Sequence, residues 1–285
     1  KDVVEIFEVL KENKSIKHGF YQRFYKKNIS EECYYKNGEK DSLSIIYGFS
    51  GNILIKSYYK RDQNHGAYTS YNPSGLKDRE GFYKDLCRDS TWIIYSPSGV
   101  PSYKETYYKC YKTGPYTMYY SDGKTIRYTG EYYRDKRSGI WDFFNFDGTL
   151  DQKYNYDNNE IIYVEKQENQ QVTIYTDSSV ITKNVETMGM YIGGFQELMW
   201  QIQSNIKIPD AALYNEINGT VIISFILEKN GTLSNIEVVK GLGFGLDEES
   251  IKALKSVPNN WIPFIFDGKP AAIKFRIPIK FKLSR

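Results

Sequence analysis

Three cysteines, two histidines and one glycine-rich stretch are the residues of this 285-residue chain whose types could do chemistry. No two of Cys33, Cys87 and Cys110 have the short spacing of a metal-ligand pair, and their number is odd. Free, partly buried thiols are the expectation. A Cys87–Cys110 disulfide is the alternative, because the two occupy nearly equivalent points of successive repeats. His18 and His65 each precede a glycine at one repeat position, and read as turn residues rather than as acid–base groups or metal ligands. Gly241–Gly245 (GLGFG) follows a strand pattern and precedes a helical one. It lacks the GxGxxG spacing and a βαβ context, so it reads as a flexible loop. There is no phosphate loop and no nucleophile elbow, and nothing points to carboxylate catalysis. A non-enzymatic chain without metal or cofactor is expected.

What remains is recognition through backbone and surface, and the strongest candidate is AAIKFRIPIKFKL, Ala271–Leu283. Ile273, Phe275, Ile277, Ile279, Phe281 and Leu283 alternate with Lys274, Arg276, Lys280 and Lys282. A period of two is a half-buried strand, here with one apolar and one basic face. Pro278 has no N–H for a ladder, which confines such a strand to a sheet edge or a bulge. Outward lysines and a proline guard an edge against aggregation, and a guarded edge can accept a peptide as an extra strand. Lys274, Arg276, Pro278, Lys280 and Lys282 are therefore the candidate peptide-binding residues. The plain alternative is a terminal strand that only closes a sheet.

The elements that must position this strand fall into two compositional regimes. Of 27 tyrosines, only Tyr191 and Tyr214 lie beyond Tyr175. Net charge is +3, without the basic excess of a nucleic-acid binder. No apolar run approaches a membrane span. The chain opens on Lys1 rather than Met, so a processed or trimmed product is expected, with a signal peptide or anchor removed upstream.

The tyrosine-rich part is a repeat array. Gly51, Gly75, Gly99, Gly123 and Gly148 keep a nearly constant spacing, and so do Tyr68, Trp92, Tyr116 and Trp141. Each unit holds two short aromatic strands. One turn carries the repeat glycine at positive φ. The opposite turns are expected at His18-Gly19, His65-Gly66, Thr113-Gly114 and Ser138-Gly139. One hairpin cannot bury its own face, so the units must stack side by side. The aromatics are expected as cross-strand ladders, with a glycan- or protein-binding surface as the alternative.

Beyond residue 157 the repeat is lost. Ile161–Lys166 and Gln171–Thr176 suggest one more hairpin around a polar turn, and 177–187 reads as a linker. The domains are expected at 1–176 and 188–285. In the second, Phe195, Leu198, Met199, Ile202 and Ile206 form a helical stripe. Gly219–Glu228 and Leu233–Val239 are strands around Asn230-Gly231. Asp247 suits the N-cap of a second helix through about Val257, ended by Pro258. The order is α-β-β-α-β, an antiparallel sheet with two helices, and the whole chain is α+β.

Two resemblances follow from these residues. The pattern G-x-(Y/W)-x-x-Y…G over about 17–156 resembles the bacterial MORN-type repeat. The string Tyr191-x-Gly193-Gly194, Ile208-Pro209-x-x-Ala212, Gly219-x-Val221-x-Ile223-x-Phe225, Asn230-Gly231, Leu246-Asp247-x-x-Ser250, Trp261-x-Pro263, Gly268-Lys269-Pro270 and Ile277-Pro278-Ile279-x-Phe281 resembles the TonB C-terminal domain family. Phe264-Ile265-Phe266 departs from the Pro-Gly common there and alters a loop. The resemblance implies a periplasmic domain that grips a segment of an outer-membrane TonB-dependent transporter by strand addition at the last strand. Coupling to energy transduction is the further implication. The alternative is a cell-envelope scaffold whose ribbon binds other envelope proteins or glycan.

Overall fold

The computed structural model describes residues 3–165, 170–176, 178–185 and 191–283. The repeat array is an antiparallel sheet in which each strand pairs with the next in sequence. Its strands are β1 (Val3–Val9), β2 (Lys17–Tyr25), β3 (Asn28–Lys36), β4 (Glu39–Tyr47), β5 (Ile53–Lys60), β6 (Gln63–Tyr71) and β7 (Lys77–Lys84). It continues through β8 (Cys87–Tyr95), β9 (Pro101–Tyr108), β10 (Tyr111–Tyr119), β11 (Ile126–Tyr133), β12 (Lys136–Phe144), β13 (Leu150–Asn155) and β14 (Glu160–Val164).

The repeat glycines sit where positive φ is needed, between 67° and 86° at Gly51, Gly75, Gly99, Gly123 and Gly148. The opposite turns are not at His-Gly or Ser-Gly. Gly19, Gly66, Gly114 and Gly139 lie inside strands, at positive φ. The turns are two-residue pairs with both φ positive: Arg61-Asp62, Asp85-Leu86, Lys109-Cys110 and Arg134-Asp135. That geometry matches strand twist, and Asn-Gly or Asp-Gly is its usual signal. Here stacking overrides the residue preference. Asp62 N–H donates to Lys40 O (2.9 Å), Leu86 N–H to Asn64 O (3.2 Å) and Asp135 N–H to Lys112 O (2.9 Å). Three of these four turns are thus held by the hairpin before them. Cys110 and Cys87 are joined by a disulfide, with Cα atoms 4.8 Å apart, so the expected free thiols give way at this pair. Cys33 is free and buried.

A row of cross-strand partners, Tyr21, Cys33, Ser44, Ser57, Tyr68 and Gly81, crosses β2 to β7. Trp92, Glu105, Tyr116 and Gly130 repeat the row across β8 to β11. Trp92 and Trp141 are fully buried over glycine. A Cβ at Gly81 would fall 2.3 Å from the Trp92 ring, and one at Gly130 2.4 Å from Trp141. The indole N–H of Trp92 donates to Phe82 O (3.1 Å). Buried Glu105 accepts from Arg88 (3.1 Å) and Lys112 (2.9 Å).

Two compact units emerge: Lys1–Trp141 with Phe146–Gly148, and Asp142–Asn145 with Thr149–Arg285. The division therefore falls about thirty residues before the expected boundary at 176. Part of the expected linker is a strand: β15 (Gln170–Tyr175) pairs with β16 (Val180–Val185). The expected turn between 161–166 and 171–176 lies mostly outside the described residues; among those described, β14 pairs with β13, and β15 pairs with β16 and β20.

The second unit continues with α1 (Gly194–Asn205), α2 (Asp210–Tyr214), β17 (Gly219–Leu227), β18 (Leu233–Lys240), α3 (Leu246–Ser256), β19 (Phe264–Phe266) and β20 (Lys269–Phe281). The expected α-β-β-α-β order is present, with α2 and β19 added. The sheet order is β16-β15-β20-β17-β18, with β19 on β20. Its core joins Leu198 and Ile202 of α1, Ala253 and Leu254 of α3, and the inward residues of β15, β17 and β20. The N-cap of α3 is Gly245 at φ 81°, not Asp247. The Asp247 carboxylate turns back to accept from Leu242 N–H (2.8 Å) and Gly243 N–H (3.2 Å), which orders the GLGFG loop. No helix among the described residues is long and apolar enough to cross a membrane.

Candidate functional site

The inward side chains of β20 hold it in place. Ile273, Phe275, Ile277, Ile279 and Phe281 are buried, and β17 pairs with the strand from Ile273 to Phe281 without a register shift. Phe275 meets Phe225 with ring centroids 5.7 Å apart. Trp261 packs on Phe225 (5.4 Å) and Tyr191 (5.0 Å), which ties the residues before α1 to the segment before β19. Beyond the strand, Leu283 N–H donates to Asn218 Oδ1 (2.7 Å).

Burial of the strand is as its alternation requires, but its edge character is partial. On the side away from β17, β15 pairs with it through Thr173↔Lys274, Ile174↔Ile273 and Tyr175↔Ala272. A simple edge strand is therefore not what the protein has. Among the described residues, no strand pairs with Phe275–Phe281 on that side. The reason for the cover is apolar: Val172 and Ile174 are buried in the same core as Ile273.

The candidate residues separate accordingly. Lys274 stands in the covered stretch, and its ammonium lies 2.8 Å from Glu237. That contact, first as a hydrogen bond, holds the Glu237 carboxyl below its ordinary range. Arg276, Pro278 and Lys280 are exposed along the open stretch, opposite Ser224, Ile222 and Thr220 of β17. Lys282 lies past the strand's end. Among the described residues, Arg276, Lys280 and Lys282 form no ion pair.

A second constellation escaped the residue patterns. Gln152 of β13 is fully buried. Its amide donates to Tyr191 O (3.1 Å) and accepts from Gly193 N–H (2.7 Å), clamping the chain just before α1. Beside it, Asp151 is 2% exposed, with one carboxylate oxygen lacking a partner. A Cβ at Gly194 would fall 2.2 Å from that oxygen. Burial pushes the Asp151 carboxyl up to about 6, against a backbone N–H from Gln196. Nothing in the order of polar residues in Leu150–Asn155 marks this clamp, since Asp and Gln there look like an ordinary exposed strand face. Among the described residues, no group of three or more His, Cys, Asp or Glu is placed to hold a metal. His65 lies 3.3 Å from Asp85, and the His18 ring accepts from Asn37 N–H (3.3 Å).

Residues 204–283 match the model of a protein family described as Gram-negative bacterial TonB protein C-terminal. Among solved structures, the chain is similar to the NMR solution structure of the Helicobacter pylori TonB C-terminal domain. Identity is 24%, covering 32% of this chain and 94% of that one, with a TM-score of 0.25. No curated protein matches the chain.

Proposed function

From a C-terminal domain of TonB type, we propose that the protein is a periplasmic binding protein. It engages an extended segment of an outer-membrane TonB-dependent transporter by adding that segment as a strand to β20. The observation that carries this reading is the ladder side of Phe275–Phe281 that no strand among the described residues occupies, in a stretch paired with β17 on its other side and buried on its inward face. Backbone hydrogen bonds supply the affinity, and the flanking Arg276, Pro278 and Lys280 supply selectivity. The Cys87–Cys110 disulfide supports an oxidising compartment such as the periplasm. Coupling of transporter to energy transduction is the further step of this reading.

The test uses peptides from transporter N-termini and amide shifts along the C-terminal unit. Arg276→Pro removes a donor and disturbs the ladder, and is expected to weaken binding at least about tenfold, while the variant still melts cooperatively. Lys280→Gln is expected to change affinity by under about 1 kcal/mol, because exposed ion pairs contribute little. Shifts confined to the repeat array or to Trp261–Gly268 would place the site elsewhere.

A second reading, a cell-envelope scaffold binding through the ribbon, is favoured by one feature. A cleft of about 310 Å³ in the repeat array is lined by Tyr25, Ile29, Tyr47, Phe49 and Leu54, and Phe49 is 86% exposed.

A further inference from the structure

The open stretch of β20 is bounded by the protein's own chain. β15 pairs with β20 over Thr173–Tyr175 only, then leaves it. Gln170, Gln171 and Val172 continue as strand, but their partners are Val185, Asn184 and Lys183 of β16. The two strands therefore splay apart at Lys274, and on the side away from β17 no strand among the described residues pairs with Phe275–Phe281. β15 is not a loose cover. Ile174 is fully buried and Val172 is 4% exposed, both in the core that holds Ile273 and Phe275. Withdrawing β15 would expose two branched apolar side chains that fill the shared core. The three ladder positions do not offset that loss, because an incoming strand re-forms only the hydrogen bonds it displaces. An incoming strand therefore cannot replace β15 along Ala272–Lys274.

We propose that the β15–β16 hairpin is a built-in stop that confines an added strand to Phe275–Phe281 and sets its register. The inference rests on strand addition at β20. It identifies the occupant as an extended segment paired over about seven residues, roughly 23 Å at 3.3 Å per residue. Its end abuts the hairpin at Lys274. Pro278 lies within the stretch and offers only its carbonyl. At the far end the strand stops at Phe281, and Leu283 is tied to Asn218, so added residues there find no ladder. Length beyond the window gives no further pairing at either end. The hairpin lies outside residues 204–283, so the stop belongs to this chain's own arrangement rather than to the matched segment.

The experiment uses the whole chain and two synthetic probes of alternating Thr and Val with a terminal Glu, one of about six residues and one of about ten. Affinities and amide shifts along 170–185 and 269–283 are measured. The expected result is equal affinity within about twofold, with shifts at Phe275–Phe281 and none at Ala272–Lys274 or Thr173–Tyr175. A ten-residue probe that binds about tenfold tighter and shifts Thr173–Tyr175 overturns the stop while leaving strand addition in place. Shifts nowhere along β20 with either probe overturn both. A second arm uses Val172→Ser combined with Ile174→Ser, which removes the apolar burial that holds β15 on the shared core. In a cooperatively melting variant the long probe's footprint should extend to Ala272, with an affinity gain of about tenfold. A footprint that still ends at Phe275 in that folded variant overturns the stop. Should the variant not fold, the wild-type comparison of the two probes decides alone.

Discussion

At the scale of single residues, burial sets the chemistry more than composition does. Asp151 is the sharpest case, an acid in the core whose carboxyl is raised to about 6 by desolvation. A raised folded-state value means that the folded protein binds the proton more tightly than the unfolded one. The folded state is favoured while the group is protonated, and this advantage is lost as pH rises from the ordinary carboxyl value through about 6. Denaturant melts of the wild type should show stability of the C-terminal unit falling across that window. Asp151→Asn should flatten the dependence and raise stability at pH 8 by on the order of 2 kcal/mol. An unchanged slope in the variant would remove Asp151 as its source. Cys33 is the converse case. Burial pushes its thiol up to about 11, so it stays protonated and unreactive at neutral pH.

At the scale of elements, the thin repeat sheet is stabilised by fitting large rings over absent side chains. Gly81 and Gly130 lie under Trp92 and Trp141, where no Cβ fits. Gly81→Ala is expected to lower stability by about 1–3 kcal/mol through overpacking, although alanine is otherwise the better strand residue. Thermal melts of the variant against wild type measure this, and an unchanged midpoint would mean that the indole moves freely. The disulfide joins turns 23 residues apart in sequence. By chain entropy its reduction is expected to cost about 3 kcal/mol. A melt with and without a reductant reads that loss, and Cys87→Ser should reproduce it. The repeat glycines were legible from spacing because positive φ demands them. The two-residue turns were not, because Lys109-Cys110 and Asp85-Leu86 lack the Asn-Gly or Asp-Gly pair, and are tied to the neighbouring hairpin by a disulfide and by a backbone hydrogen bond respectively.

At the scale of the whole molecule, the C-terminal unit is larger than its compositional boundary. Its core includes Val172 and Ile174, and Gln152 clamps Tyr191 and Gly193. A fragment spanning 188–285 lacks all three residues, whereas 149–285 retains them. The shorter fragment is expected to be less stable by on the order of 3–6 kcal/mol from the two lost aliphatic side chains alone. Circular dichroism melts of both fragments check this. Equal midpoints would show that β15 and β13 contribute nothing to the unit's fold.

The sequence by itself determined the elements whose signals are local. A period of two placed β17, β18 and β20 to within a few residues, a helical stripe placed α1, and a constant glycine spacing placed the hairpin array. It also marked which face of β20 is apolar, because alternation and burial obey one geometry. Only the tertiary structure decided which strand lies beside which. Val172 and Ile174 read as a strand in isolation, but nothing in their spacing says that the partner is Ile273, a hundred residues on. Strand pairing between distant segments is chosen by the shared core that both sides can bury. For that reason β20, an edge strand by its proline and lysines, is covered by β15 over Ala272–Lys274 and, among the described residues, has no second partner over Phe275–Phe281.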